Sequence, residues 1–66
     1  MGFVELIRIL PEGEKVKCSF NVSAVEYFQA PAGIVAGSRC MLVDGASNVF
    51  YVVETYEEVA AKFKGA

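Results

Sequence analysis

Lys15-Val16-Lys17-Cys18-Ser19-Phe20-Asn21-Val22 alternates polar and apolar residues without a break. Side chains along a strand point to opposite faces in turn. This spacing therefore aims Val16, Cys18, Phe20 and Val22 at a core, and Lys15, Lys17, Ser19 and Asn21 at water. A strand with one wet face belongs to an antiparallel sheet. Two outward lysines suit an edge position, where charge discourages pairing with stray chains. The stretch decides for a mainly β fold.

Toward the N-terminus, Pro11-Glu12-Gly13-Glu14 reads as a turn, with Pro fixing φ and Gly open to positive φ. Before it, Phe3 to Leu10 is a β-branched and aliphatic run with Glu5 on one face and Arg8 on the other. Each face is mostly apolar, the pattern of a strand covered on both sides. The Ile and Val content and the adjacent Pro11 speak against a helix there.

Toward the C-terminus, residues 24–29 read as a third strand, with Val25 and Tyr27 on one face and Glu26 and Phe28 on the other. The segment from Ala30 to Gly37 is a loop by its Pro and Gly content, yet it carries Ile34 and Val35. Such a loop either packs back on the body or presses against a partner, and both readings stand. Arg39 to Val43 is a fourth strand, Asp44-Gly45-Ala46-Ser47 a hairpin turn of the Asp-Gly kind, and Val49 to Val53 a fifth strand, apolar on both faces and therefore central or sandwiched.

Thr55-Tyr56-Glu57-Glu58 is a capping box, with Thr55 and Glu58 as its reciprocal partners, and it starts a helix near 56–64. Glu57 and Glu58 lie at the positive end of the helix dipole and Lys62 and Lys64 at the negative end, and Gly65 is suited to a left-handed cap. Tyr56, Val59, Ala60 and Phe63 form the docking side. The fold class is mainly β (α+β). About five short antiparallel strands, near 3–10, 15–22, 24–29, 39–43 and 49–53, form a small sheet or partly open barrel closed by one C-terminal helix. Residues 1–66 make a single domain.

The assembled residues resemble the small FlbD-type family, flagellar-operon proteins with many bacterial and phage relatives. The resemblance rests on Phe20-Asn21-Val22, Ala24-Val25-Glu26, Leu42-Val43-Asp44-Gly45 and Val52-Val53-Glu54-Thr55-Tyr56-Glu57-Glu58-Val59. It implies a cytoplasmic accessory protein with no known catalytic residues.

Composition narrows the functional classes. With 55% apolar residues and a mean hydropathy of +0.42 in 66 residues, the chain holds more apolar side chain than a domain this small readily hides. Self-association relieves the excess. The expected function is a non-catalytic, homodimeric protein–protein interaction module, formed by strand exchange through 30–37 or by edge pairing, with a further protein partner open. Its interface candidates are Leu6, Ile7, Ile34, Val35, Phe50 and Tyr51. The alternative is a small β-barrel that binds single-stranded nucleic acid through Tyr27, Phe28, Phe50 and Tyr51 with Lys15, Lys17 and Arg39. A net charge of −2 counts against that alternative.

Catalysis is not expected. Glu5, Glu26 and Glu54 are the carboxylates in or beside strands that an acid–base pair would need, but no nucleophile motif or phosphate loop accompanies them. With no histidine and only Cys18 and Cys40, 22 positions apart, neither a zinc site nor a CxxC motif can be built, and no cofactor is expected. The two cysteines read as small buried hydrophobes, and a disulfide needs their strands to be neighbours. The longest uncharged stretch, Tyr27 to Ser38, is too short to span a bilayer and contains Pro31. Glu5 and Arg8 argue against a secretory signal, and Leu6 stands where a myristoylation motif needs Ser or Thr. The expected location is the cytoplasm.

Overall fold

The structure, a computed structural model, describes residues 2–30 and 37–66. In chain order it contains β1 (Phe3–Ile9), β2 (Lys15–Asn21), a 3-10 turn (Val22–Ala24), β3 (Val25–Gln29), β4 (Cys40–Asp44), β5 (Val49–Val52) and α1 (Tyr56–Gly65). The strands form one antiparallel sheet in the order β2-β1-β5-β4-β3. β2 is an edge and β5 is central, as the lysines of the one and the two-faced apolarity of the other require.

The edges β2 and β3 follow each other in the chain with three residues between them. A flat sheet would separate them by about four strand spacings of 4.8 Å, more than that short link can span unless the sheet bends. The sheet therefore curls at this corner. Its inner face carries Val4 and Leu6 of β1, Phe20 of β2, Cys40 and Leu42 of β4 and Val52 of β5, all buried, and Val59 of α1 closes the cluster. Phe28 extends it under the helix, with ring centroids 5.3 Å from Tyr56 and 5.1 Å from Phe63. Lys62 ties the helix to β1 by donating from Nζ to the Glu5 carbonyl at 3.2 Å.

Two halves meet at a short seam. β1 pairs with all of β2, from Phe3–Asn21 to Ile9–Lys15, but with β5 only at Arg8–Val52 and Ile9–Tyr51. Past β5 the seam is prolonged by the Val53 N–H, which donates to the Ile7 carbonyl at 3.0 Å. The Ile7 N–H then donates to both carboxylate oxygens of Glu54, at 3.1 and 3.2 Å. A side chain thus takes the place of the next strand carbonyl.

The capping box forms in full: the Thr55 hydroxyl accepts from the Glu58 N–H at 3.2 Å, and the Glu58 carboxylate accepts from the Thr55 N–H at 2.9 Å. Thr55→Ala removes one arm and is expected to lower stability by about 1 kcal/mol, read as a shift of the urea midpoint at unchanged slope. The other helix end differs from expectation. Gly65 stays in the helix, and Ala66 caps it by donating to the Phe63 carbonyl.

Three further expectations are corrected. The outer face of β1 is open at its start, with Phe3 and Glu5 exposed, because the helix covers the inner face alone. In β3 a bulge between Val25 and Tyr27 sends both Val25 and Phe28 to the core and leaves Tyr27 outside. The β4–β5 turn takes its positive φ at Ser47 (67°) and not at Gly45. With the Ser47 N–H donating to the Asp44 carbonyl, this is the three-residue hairpin in which a type I turn is followed by a left-handed residue.

Asp44 holds that turn. Its carboxylate accepts from the Asn48 side chain and from the backbone N–H groups of Ala46 and Asn48. These bonds, the Asn48 side chain first, hold the carboxyl below the usual aspartate value. The folded state thus binds this proton less readily than the unfolded chain. The resulting stabilisation is present above the ordinary carboxylate range and is lost as pH falls below about 4 toward the lower folded value. Asp44→Asn is expected to flatten the acid limb of a plot of Tm against pH; an unchanged limb would show that other carboxylates set it.

Candidate functional site

Register places two adjacent rows of side chains on the outer face. One runs Tyr27–Val43–Val49 across β3, β4 and β5, and the next runs Met41–Tyr51–Ile9 across β4, β5 and β1. Directly paired residues of antiparallel strands share a face, and rows two residues apart are about 7 Å apart. The six side chains therefore form one apolar patch. Tyr27 is 48% exposed and Val49 43%; Met41 and Tyr51 are half-buried. Ile9 and Val43 are buried yet stand outside the inner core cluster. Gly37 lies over Ile9, where a Cβ would stand 3.8 Å from Ile9 Cδ1.

A groove of about 230 Å³ opens beside the patch, lined by Arg8, Ile9, Pro11, Val49 and Tyr51. Its cause lies in the seam. Beyond the Ile9–Tyr51 pair β1 ends and enters the turn at Pro11, while β5 continues alongside β4 to Val49. The strands fork and leave a gap. Arg8, on the inner face, reaches this gap with its guanidinium carbon 4.9 Å above the Phe50 ring, and its Nε is buried without a hydrogen-bond partner.

The expected interface residues separate into three groups. Ile7 and Tyr51 lie on the outer face, Tyr51 in the groove wall. Leu6 and Phe50 do not serve there. Leu6 is fully buried at the centre of the inner cluster, and Phe50 packs edge-on against Phe20 at 5.4 Å beneath Arg8. Their apolar character reflects the core, which a residue's type alone does not distinguish from an interface. Ile34 and Val35 lie outside the described residues. Of the exposed members of the patch, Val49 was not singled out because β5 reads as apolar on both faces. Tyr27 entered only the nucleic-acid alternative because plain alternation groups it with Val25, from which the bulge in β3 separates it.

The aromatics considered for nucleic acid divide in the same way. Tyr27 and Tyr51 are outside with Lys15 and Lys17, whereas Phe28 and Phe50 are internal; Arg39 is exposed beside β4. Of the three carboxylates, Glu5 and Glu26 are exposed on separate strands, and Glu54 is occupied by the Ile7 N–H. Cys18 and Cys40 are free thiols on strands separated by β1 and β5, so they are not neighbours across a ladder. Burial raises the Cys40 thiol pKa, partly offset by hydrogen bonding to the Met41 backbone, and the nearby Glu54 charge pushes it further up. Among the described residues no group of three or more acidic or thiol side chains is placed to hold a metal, and no helix is long and apolar enough to cross a membrane.

Comparison with protein-family models, with curated proteins and with solved structures finds no match to this chain.

Proposed function

We propose that this protein is a non-catalytic, cytoplasmic interaction module that acts as a homodimer, with the outer-face patch around Tyr27, Val49 and Tyr51 as its contact surface. The observation that carries the reading is the second apolar layer. Nine apolar residues are buried among the described ones, while 55% of the chain is apolar. Four of the remainder, Tyr27, Met41, Val49 and Tyr51, lie beside the buried Ile9 and Val43 in two adjoining rows on a face the helix does not cover. A contiguous apolar patch rimmed by polar residues marks a protein contact more often than scattered exposure does. A second copy fits a surface of this kind, since two-fold association lets one patch cover its twin. The accessory role implied by the FlbD-type resemblance is compatible with such a module. Sedimentation equilibrium at tens of micromolar tests it: a mass near twice 7.1 kDa is expected, and a mass near 7.1 kDa would overturn it.

A second reading retains one favourable observation. Lys15 continues the row of Met41, Tyr51 and Ile9, which sets a cation and an aromatic on the same face. That is the chemistry of a single-strand stacking platform. Binding to a labelled oligonucleotide that weakens steeply with salt would support it, and salt-independent or absent binding would remove it.

A further inference from the structure

The groove at the β1–β5 fork combines three features that apolar packing alone does not account for. It carries a cation, Arg8, whose guanidinium is held in place over Phe50. One donor of that cation, Nε, is buried and unpartnered, an unfavourable state for a charged group. The side chain lines the groove wall, where an arriving carboxylate would meet the guanidinium. Its volume of about 230 Å³ is below the range of small-molecule sites, roughly 300–1,000 Å³. It suits a side chain or a turn tip.

The complement lies on the groove's own rim. Pro11 lines the groove and also begins the turn that exposes Glu12 and Glu14. That turn is rigid: Leu10 N–H donates to the Glu14 carbonyl and Gly13 N–H to the Leu10 carbonyl, both at 2.8 Å, and Gly13 takes φ +96°. A preformed turn loses little freedom on docking.

We propose that the acidic turn Pro11–Glu14 of each copy enters the Arg8 groove of the other, so that two reciprocal arginine–carboxylate pairs set the register of the dimer. This rests on the self-association proposed above. Arg8 and Pro11, the first residue of the acidic turn, line one groove, so a two-fold axis beside it brings each turn to the partner's arginine, as an isologous contact requires. The apolar rows supply the buried area, and the charge pairs select one orientation.

The test compares self-association of the wild type, Arg8→Glu, and the exposed double variant Glu12→Lys/Glu14→Lys, by sedimentation at low and moderate salt. Each variant is expected to weaken dimerisation about tenfold or more. An equimolar mixture of the two is expected to recover wild-type affinity as a heterodimer. If Arg8→Glu does not fold by circular dichroism, Arg8→Met replaces it in the weakening test and the double variant carries the result. A dimeric wild type with an equally dimeric Glu12→Lys/Glu14→Lys overturns the charge pairing alone. A monomeric wild type overturns the self-association reading and this inference with it.

Discussion

Leu6→Ala is expected to destabilise the folded chain by about 2–5 kcal/mol, the range for deleting a fully buried Leu side chain. At about 0.05–0.15 kcal/mol per residue, a domain of this length holds only roughly 3–10 kcal/mol in total. The substitution therefore removes a large part of the stability, and in a marginal case all of it. The reason is position. Leu6 has no exposed surface and lies in the one cluster, with Val4, Phe20, Leu42, Val52 and Val59, that joins both halves of the sheet to the helix. Urea unfolding at several protein concentrations reads the result. A core role gives a fall in midpoint whose size does not depend on concentration, whereas an interface role would show its loss chiefly at high concentration. Tyr27→Ser is the counterpart. At 48% exposure on the outer patch, it should leave monomer stability within about 0.5 kcal/mol and act on association.

Glu54→Ala should have the next largest effect, a loss of about 1–3 kcal/mol from leaving a partly buried donor unsatisfied. The donor is the Ile7 N–H, which both carboxylate oxygens accept. The seam between the β1–β2 hairpin and the β3–β4–β5 meander has only two register pairs to share the strain. Amide hydrogen exchange checks the location as well as the size. Ile7 should lose protection together with Val53, the other backbone group that extends the seam. Glu54→Gln, which keeps an acceptor in place, should lose less. If Glu54→Ala left Ile7 exchange unchanged, the seam would not depend on this side chain.

Much of the local structure is legible in short windows. The alternation of Lys15 to Asn21, the turn at Pro11–Glu14 and the helix start at Thr55 each depend on residues within a few positions of one another. Backbone geometry and side-chain chemistry act there without the rest of the fold. The bulge in β3 was not legible, because the extra residue answers to the ladder with β4 and leaves no mark in the alternation of apolar types. Gly65 shows the same limit. Its type permits a left-handed cap, but the helix includes it and is capped by Ala66. The candidate surface suffered most: Leu6, Ile7, Phe50 and Tyr51 are equally apolar on paper, and only the side of the curled sheet separates core from surface.

Sequence by itself determined the kind and approximate extent of each strand and of the helix, the edge character of β2 and the central character of β5. These follow from periodicity, capping and charge, which are properties of neighbours in the chain. Tertiary structure decided the strand order, the curl that joins the two edges, the capture of the Ile7 N–H by Glu54 47 positions away, and the placing of Arg8 over Phe50 beside a forked seam. Those depend on which distant segments share a core, and pairing across such distances is set by the packing of the whole chain.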